Sequence, residues 1–482
     1  MTRSVPSNIT RREFVTRLGA GTLAAAAVPA LTGCARRTES PRRKPNVLFI
    51  LADDLGYGDL GCYGQTHFKT PNIDRLAAEG MKFIQHYSGS TVCAPSRCVL
   101  MTGLHTGHCY IRDNKEHDPI GQEPIPADTV TVAKRLKAAG YATGAFGKWG
   151  LGYPGSEGEP IREGFDEFFG YNCQRNAHNY YPDYLYHNDK RVNLDGKTYS
   201  HALIMERALD FIRRHKDSPF FCFMPVTIPH AAMQAPEEYV APFRKTFAEF
   251  ENKVGRYEGV AAETRNPVAA FAGMMTVLDQ SVGRVLALLK ELGLDDDTIV
   301  FFTSDNGPHR EGGHNPDFFD SNGPLKGIKR DLTEGGIRVP MLARWPGRIQ
   351  PGTTTDYISA FQDVMPTLCD LAGAAAPDGI DGLSLVPTLL GQTDRQKQHP
   401  YLYWEYYSYG GKRAARMDRW KAIQQGLQAK PRPIQLFDLA SDLGETHDVA
   451  GAHPEIVAEM EKIFADAHTP SAIWQFGGAK RD

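Results

Sequence analysis

The chain has 482 residues, a formal net charge of -3 and a hydrophobic content of 41%. This length allows a large core and more than one lobe, and the composition is that of an ordinary globular protein. The charge is nearly balanced and no basic tract follows residue 45, which excludes the broad cationic surface typical of nucleic-acid binding. We therefore expect no nucleic-acid partner.

The first 33 residues predict an export signal rather than a part of the fold. Arg11 and Arg12 precede a short apolar stretch over residues 18–31, as in signals recognised by the twin-arginine export machinery. That stretch is too short to span a bilayer. Residues 31–34 resemble a bacterial lipobox, so we expect cleavage before Cys34 and lipidation of its thiol; cleavage by an ordinary signal peptidase is the alternative. These features predict a protein of the bacterial cell envelope, periplasmic or at the surface, held to the membrane only by a lipid anchor at Cys34 and a tether over residues 34–45.

From residue 46 onward, apolar runs of strand length alternate with amphipathic helices. Residues 46–52 are continuously apolar, as expected for a parallel strand covered on both faces. Thr70 as N-cap, Pro71 and Gly80 then mark the ends of a helix. Further helices are predicted over residues 130–139, 201–215, 269–292, 361–372 and 455–467, and further strands over residues 141–146, 220–226 and 298–302. This succession predicts a doubly wound, mostly parallel α/β sheet with helices on both faces over residues 46–394, followed by a small α+β subdomain over residues 395–482.

Polar residues of the kind that bind ligands follow four of the predicted strands: Asp53 and Asp54, Lys148, His230, and Asp305 and Asn306. Because ligands bind beyond the carboxyl ends of strands in open α/β sheets, we expect these side chains to meet at one edge. The carboxylates and the amide offer only hard oxygens, which suits Ca²⁺, with Mg²⁺ possible, rather than zinc. Three converging carboxylates also repel one another unless a cation lies between them. The alternative is that the two acidic segments serve only as turns and caps.

The most specific motif is Cys93-Ala94-Pro95-Ser96-Arg97. It resembles the Cys-x-Pro-x-Arg signature of type I sulfatases, in which a maturation enzyme oxidises the cysteine to formylglycine. Further segments similar to that family follow one another in order: Asp53-Asp54, Gly147-Lys148-Trp149, Pro229-His230, Ser304-Asp305-Asn306-Gly307, Lys326 and Glu334-Gly335-Gly336-Ile337-Arg338-Val339-Pro340. The resemblance covers most of residues 46–350 and implies a sulfuric ester hydrolase with an alkaline-phosphatase-like fold. It also implies one divalent cation, usually Ca²⁺, held by the carboxylates, the amide and the modified Cys93.

The same resemblance implies a role for each charged residue of the motifs. The hydrate of formylglycine derived from Cys93 is the nucleophile, and Arg97 orients it and helps to ionise it. Lys148 and Lys326, with the cation, hold the sulfuryl oxygens as the bond to sulfur lengthens. His230, possibly assisted by Lys326, protonates the leaving oxygen. Taken one at a time, the lysines could be surface charges and His230 a loop histidine, so the expectation depends on the ordered set.

One position departs from the family pattern. Many members have Gly-Lys-x-His-Leu-Gly, with the histidine assisting release of sulfate, whereas this chain has Gly150 at the place of the histidine. A glycine cannot take up a proton. His178, His309 and His314 are candidates to replace it, and water is the alternative.

Two loops predict the substrate class. Residues 175–181 and 309–314 combine hydrogen-bond donors with aromatic rings, as a sugar pocket requires, and we expect His178, His309 and His314 to bind substrate. Together with the predicted address in the cell envelope, they favour a sulfated saccharide. The alternative for each loop is a polar segment packed against the sheet edge.

Two other functions remain open at this point. A phosphatase, phosphodiesterase or phosphonate hydrolase of the same superfamily would also bind a tetrahedral anion, although a two-zinc phosphatase requires more histidine and aspartate ligands. A lipoprotein that binds sulfated glycans without hydrolysing them would retain Cys93 as a thiol.

Overall fold

The structure is a computed structural model, and it describes residues 44–477. The predicted export signal, the predicted lipid anchor at Cys34 and nearly all of the tether lie outside these residues. Across residues 44–477, no helix combines the length and the apolar character that crossing a membrane demands.

Strands and helices alternate along most of the described chain. The strands are β1 (Asn46–Asp53), β2 (Met81–Phe83), β3 (His86–Tyr87), β4 (Ala142–Lys148), β5 (Glu167–Tyr171), β6 (Tyr184–His187), β7 (Lys190–Asn193), β8 (Phe220–Pro229), β9 (Val254–Gly255), β10 (Thr264–Arg265), β11 (Thr298–Ser304), β12 (Met341–Arg344), β13 (Thr353–Thr355), β14 (Ser359–Ala360), β15 (Leu402–Tyr406), β16 (Lys412–Met417), β17 (Trp420–Gln425) and β18 (Gln435–Asp438). The α-helices are α1 (Pro71–Ala78), α2 (Cys93–Thr102), α3 (Val132–Ala138), α4 (Ser200–Arg214), α5 (Glu237–Thr246), α6 (Pro267–Glu291), α7 (Pro316–Phe319), α8 (Glu334–Ile337), α9 (Val364–Ala372), α10 (Val386–Leu389) and α11 (Pro454–Asp466). Short 3-10 turns lie at Gly61–Tyr63, Arg175–His178, Ala248–Phe250, Glu311–Gly313, Phe361–Asp363, Thr393–Arg395 and Ala450–Ala452.

A mixed, mostly parallel sheet of ten strands forms the centre of the fold, in the order β13-β2-β12-β11-β1-β8-β4-β5-β6-β7. Its middle strands are parallel: β1 pairs with β11 and β8, and β4 pairs with β8 and β5. The predicted doubly wound α/β architecture is confirmed. The predicted strands end too early, since β4 extends to Lys148 and β8 to Pro229.

Helices cover both faces of this sheet. Successive β1 side chains alternate between two buried clusters, with Leu48 and Ile50 in one and Val47 and Phe49 in the other. The first cluster contains the apolar sides of α1, α4 and α6, and the second contains those of α2, α3 and α9. A strand buried on both faces is continuously apolar for this reason.

The helix that follows β1 begins where the sequence predicts, but its N-cap differs. Thr70 precedes Pro71 without making a side-chain cap hydrogen bond. Its hydroxyl instead accepts the backbone N–H of Gly61 at 2.9 Å and donates to Asp74 at 3.0 Å. The threonine therefore joins the preceding loop to the first turn of α1.

Near the carboxyl terminus, β15 to β18 form an antiparallel four-stranded sheet. One face packs on α11 through Tyr403 and Phe464, among others. The other face packs through Trp404 and Ile423 against Val92, which directly precedes α2. The small sheet is thus docked beside the start of α2; the boundary of a separate subdomain at residue 395 stays a prediction.

Candidate active site

The polar residues at the strand ends meet at one edge of the central sheet. Their four strands are neighbours in the order β11-β1-β8-β4. Asp53 and Lys148 are the last residues of β1 and β4, while His230 and Asp305 directly follow β8 and β11. All four are buried. The sequence prediction that these segments converge is confirmed in geometry.

Cys93 is the first residue of α2, and it points into this cluster. Its thiol donates to Asp53 Oδ1 at 3.5 Å and accepts from Lys148 Nζ at 3.4 Å. Burial raises the pKa of the Cys93 thiol well above its usual range, against the opposing effect of Lys148. A thiol in this setting is protonated at neutral pH and is a poor nucleophile, because the thiolate is the reactive form.

Arg97 lies one helical turn after Cys93, on the same face of α2. Its Nε and Nη2 donate to Asp305 Oδ2 at 3.1 and 2.8 Å, and Nη2 lies 3.4 Å from Asp53 Oδ2. Its Nη1 donates to the carbonyl of Lys148. The guanidinium therefore connects α2 to the ends of β1, β4 and β11.

Lys148 neutralises the first of the carboxylates. Its ammonium donates to Asp53 Oδ2 at 2.6 Å, and both side chains are buried. Burial alone would raise the pKa of Asp53, but Lys148, His230 and Arg97 together hold it well below its usual range. Asp53 is therefore an anion inside the protein.

The donor set at this edge fits a hard divalent cation. Asn306 Nδ2 donates to Asp54 Oδ1 at 2.6 Å, whereas Asn306 Oδ1 is buried and has no hydrogen-bond partner within the described part of the chain. One ligand atom from each of Asp53, Asp54, Cys93 and His230 lies within 4.8 Å of the others. An orphaned amide oxygen beside carboxylates is the kind of oxygen ligand that Ca²⁺ and Mg²⁺ prefer. The residues fit a metal ion, and they do not identify it.

Repulsion between the carboxylates is weaker than the sequence predicts. Arg97, Lys148 and Lys329 reach the same cluster and contact Asp305, Asp53 and Asp54 respectively. Protein cations therefore balance much of the carboxylate charge, and the case for a metal depends on the oxygen donors.

His230 and Lys329 form a hydrogen-bonded pair at the centre of the site. His230 Nδ1 lies 2.5 Å from the Ala231 carbonyl and donates to it, which leaves the Nε2 lone pair free to accept from Lys329 Nζ at 3.2 Å. Burial, followed by the charge of Lys329, lowers the pKa of His230 to about 4. Lys329 also donates to Asp54 Oδ2 at 2.8 Å. A neutral imidazole and an ammonium group thus lie in direct contact and can share one proton.

The structure does not bring Lys326 into this cluster. Its ammonium donates to the carbonyl of Glu445 at 2.8 Å and lies 5.9 Å from the centroid of the Phe437 ring. Gly327 lies between the two lysines and has a φ of 87°, in the left-handed region. The lysine that the geometry selects is Lys329, which the sequence analysis missed. Both lysines belong to one short loop, and their spacing alone could not distinguish them.

The three predicted substrate histidines lie at different depths. His178 stacks on His230 with ring centroids 5.1 Å apart, and it is partly exposed. His309 is buried beside His230, with Nδ1 accepting from the backbone of Glu311 at 2.9 Å. His314 stacks on Phe271 at 3.9 Å, within the core. The geometry favours His178 for contact with substrate, and all three roles stay predictions.

Gln174 occupies the space beside Gly150. Gly150 has a φ of 84°, and a Cβ at this position would lie 2.5 Å from Gln174 Nε2. Gln174 Nε2 and both amide atoms of Asn172 are buried without a hydrogen-bond partner among residues 44–477. A histidine at position 150 would need both another backbone conformation and this space. A neutral amide therefore lies beside the position at which many members of the family described above have a histidine.

A second group of histidine and carboxylate side chains lies elsewhere, with ligand atoms of His105, His108 and Asp381 within 4.8 Å of one another. His105 Nδ1 accepts the backbone N–H of Gly107 at 3.1 Å, so the ring proton is on Nε2, the atom that faces Asp381 at 3.7 Å. His108 Nδ1 lies 2.9 Å from Asp381 Oδ1. These hydrogen bonds account for the group without a metal.

Comparisons with known proteins agree with this geometry. A sequence model of the sulfatase family matches residues 45–374, and one described as N-sulphoglucosamine sulphohydrolase, C-terminal, matches residues 328–469. The chain is 35% identical to N-acetylgalactosamine-6-sulfatase of Canis lupus familiaris over 383 residues, which cover 73% of this chain and 67% of the relative. It is 33% identical to arylsulfatase A of Homo sapiens over 87% of both chains. The crystal structure of Ps i-CgsB in complex with k-i-k-neocarrahexaose is similar with a TM-score of 0.74 and 31% identity, covering 89% of this chain and 94% of that one. The chain belongs to the sulfatase family of the alkaline phosphatase superfamily and is a sulfuric ester hydrolase.

Proposed function

We propose that this sulfatase removes O-sulfate from a sulfated saccharide, with formylglycine derived from Cys93 as the nucleophile. The observation that carries the proposal is the position of Cys93 at the start of α2, in contact with both Asp53 and Lys148 and one turn before Arg97. The substrate class is supported by relatives named for a sulfated amino sugar and by one structure in complex with a neocarrahexaose.

The charged side chains around residue 93 each have a separate role in binding the sulfuryl group. The hydrated aldehyde supplies one hydroxyl that attacks sulfur and a second through which sulfate is released. Asp53, Asp54, Asp305 and Asn306 would hold Ca²⁺, or Mg²⁺, which supplies positive charge close to the sulfuryl oxygens. The ammonium of Lys148 contacts both Asp53 and residue 93, and in this position it can donate a hydrogen bond to the same sulfuryl oxygens. These donors are arranged before substrate arrives and stabilise charge as it develops.

Proton transfer to the leaving group is the task of the His230 and Lys329 pair. When the S–O bond to the sugar breaks, the leaving oxygen carries the electron pair and needs a proton. Lys329 Nζ and His230 Nε2 share a hydrogen bond of 3.2 Å, so the proton can reach that oxygen from either atom. His178, stacked on the outer face of His230, restricts the position of the imidazole. We assign to Lys329 the role in protonating the leaving oxygen that the sequence analysis predicted for Lys326.

A two-metal phosphatase is the less suitable function for this geometry. A further group of possible ligands consists of Asp54, His309 and Glu311. His309 Nδ1 already accepts a backbone N–H, and the ammonium of Lys329 contacts both Asp54 and Glu311. A second metal would have to displace this ammonium. The site is better suited to one cation and a lysine.

We also propose the partners and the cellular location that the sequence predicts. A maturation enzyme oxidises Cys93 before the site is used. Arg11 and Arg12, with the lipobox at Cys34, support export by the twin-arginine machinery and a lipid anchor in the bacterial cell envelope.

The decisive experiment combines peptide mass spectrometry with kinetics on protein purified from its native host. Conversion of Cys93 to the aldehyde lowers the mass of its peptide by about 18 Da, unlike ordinary thiol oxidation. The same preparation is assayed with 4-methylumbelliferyl sulfate, with N-acetylgalactosamine 6-sulfate and with a phosphonate monoester, alongside Cys93→Ala. We expect the aldehyde, and hydrolysis of sulfate esters that the Cys93→Ala variant lacks. An intact thiol in protein that only binds sulfated glycans would replace this proposal with a non-catalytic binding function, and preference for the phosphonate would replace it with phosphonate hydrolysis.

A further inference from the structure

The turn between β15 and β16 lies at the rim of the active site. Within it, the backbone N–H of Ser408 donates to Asp113 Oδ2 at 2.6 Å. Asn114, the next residue in the chain, accepts the backbone N–H of Ala94 at 3.1 Å, beside the nucleophile position. At the start of β16, Lys412 Nζ donates to the carbonyl of Arg330 at 2.9 Å. The turn is therefore tied to the segments on both sides of the catalytic cluster.

Tyr409 stands at the tip of this turn with its ring in solvent. Its side chain is 70% exposed, the largest value among the exposed large apolar residues of the described chain. Its backbone has a φ of 51°, in the left-handed region that residues other than glycine rarely adopt. The turn continues with Gly410 and Gly411, which adopt positive φ without strain. An exposed aromatic ring at a strained position adds little to stability, and such positions concentrate at functional sites.

A chain of charged side chains connects the ring to the catalytic residues. The guanidinium of Arg330 lies 5.6 Å from the centroid of the Tyr409 ring and also forms an ion pair with Glu311. Glu311 Oε2 lies 3.4 Å from Lys329 Nζ and 3.7 Å from His230 Nε2. Arg330 itself has a φ of 78°, also in the left-handed region. The ring is thus one guanidinium and one carboxylate away from the atoms that protonate the leaving group.

We propose that Tyr409 is a specificity-determining residue that stacks against the sugar unit next to the one that carries the scissile sulfate. This inference rests on the proposed function. A sugar ring presents an apolar C–H face that packs on an aromatic ring, and an amphipathic ring fixed at the mouth of a site provides that contact with little loss of conformational entropy. Arg330 and Glu311 connect Tyr409 to the pair that protonates the leaving oxygen, and the remainder of an oligosaccharide is attached to the sugar that carries this oxygen.

Kinetics of Tyr409→Ala on substrates of two lengths test this role. The long substrates are a neocarrahexaose and a chondroitin 6-sulfate tetrasaccharide, and the short one is 4-methylumbelliferyl sulfate, which has no neighbouring sugar. We expect kcat/KM for the cleaved oligosaccharide to fall about 10-fold, mainly through KM, and that for the short substrate to stay within about twofold. Tyr409→Phe and Tyr409→Trp should retain oligosaccharide activity, since they keep an aromatic face.

Matched controls separate the stacking role from a general one. Tyr110 is 40% exposed and lines a different cleft with Pro126 and Pro470, so Tyr110→Ala should leave kcat/KM unchanged for both the long and the short substrates. Equal losses on both substrates, or no loss on either, overturn the inference. A wild-type enzyme that hydrolyses the aryl sulfate but neither oligosaccharide also overturns it, while leaving the sulfatase reaction intact. Failure of the wild type on every sulfate ester, despite an aldehyde at residue 93, refutes the proposed function instead.

Discussion

Replacing each of two neighbouring lysines tests which one serves the reaction. Lys329 Nζ is buried and contacts Asp54 at 2.8 Å, His230 at 3.2 Å and Glu311 at 3.4 Å. Lys326 is exposed and makes a single hydrogen bond of 2.8 Å to a backbone carbonyl. We expect Lys329→Met to abolish most activity and Lys326→Met to leave it almost intact.

The magnitudes follow from these contacts. Removing one preorganised donor from a buried site commonly lowers kcat by about 10²- to 10³-fold, which corresponds to roughly 3 to 4 kcal/mol of transition-state stabilisation. In the proposed mechanism Lys329 also provides a proton to the leaving oxygen, so the larger value is expected. The hydrogen bond of Lys326 and its contact with Phe437 contribute about 1 kcal/mol to stability and nothing to the reacting atoms.

The assay is kcat/KM for 4-methylumbelliferyl sulfate, with thermal unfolding and the aldehyde content of residue 93 measured on the same preparations. Lys329→Arg is the companion variant, because it keeps the charge but replaces a compact ammonium by a planar guanidinium, and we expect only partial recovery. Comparable losses in Lys326→Met and Lys329→Met, with both proteins folded and converted, would refute the assignment. So would near wild-type activity in Lys329→Met.

Three further predictions concern the metal, the small sheet and acid stability. Dialysis against a chelator should abolish sulfatase activity, and Ca²⁺ or Mg²⁺ should restore it; full activity in protein shown by elemental analysis to be metal-free would contradict the metal assignment. In the small sheet, the buried ammonium of Lys421 lies 2.8 Å from Glu334 and 3.0 Å from Glu445. In urea denaturation, Lys421→Met should lower the free energy of unfolding by about 3 to 5 kcal/mol, whereas Lys462→Met, at an exposed ion pair, should lower it by less than about 1 kcal/mol. Equal effects of the two substitutions would contradict a stabilising role of the buried ion pairs. Burial lowers the pKa of His201 from 6.5 to about 3, and the His201 Nδ1 has no hydrogen-bond partner within the described chain. The stability that the neutral, buried imidazole contributes is therefore complete above pH 6.5 and is lost as the pH falls toward 3. Between about pH 7 and pH 5, the wild type should therefore lose roughly 2 kcal/mol more than His201→Gln in urea denaturation, and parallel losses would contradict this.

Much of the fold could be predicted because its signals are local. The continuous apolar run of β1 indicates a strand buried on both faces, and the structure places its side chains in two separate cores. The strand order of an α/β sheet then requires that residues following parallel strands share one edge. For this reason the sequence alone is enough to group Asp53, Lys148, His230 and Asp305.

The choice between Lys326 and Lys329 could not be made in this way. Both precede the same helix within one loop, and composition treats them alike. A left-handed turn at Gly327 and the pairing of Lys326 with the carbonyl of Glu445 decide which ammonium points inward. Side-chain direction in a loop depends on contacts that are distant in the sequence.

The burial of the three histidines and the neighbour of Gly150 also could not be predicted from the sequence. Sequence proximity to polar loops suggested one role for His178, His309 and His314, yet only packing shows that the first is partly exposed and the last lies against Phe271. The amide of Gln174 reaches the backbone of Gly150 because β4 and β5 are adjacent, a pairing that residue patterns do not reveal.

The sequence by itself determined the α/β class, the family and the residue types that meet at the carboxyl ends of the strands, because periodicity and short motifs are properties of consecutive residues. Only the tertiary structure decided that three protein cations contact the three carboxylates, that Lys329 pairs with His230, and that Arg330 lies against the ring of Tyr409 in the turn between β15 and β16. Distances between segments far apart in the chain set charge balance, proton sharing and access, and those distances exist only after the segments have packed.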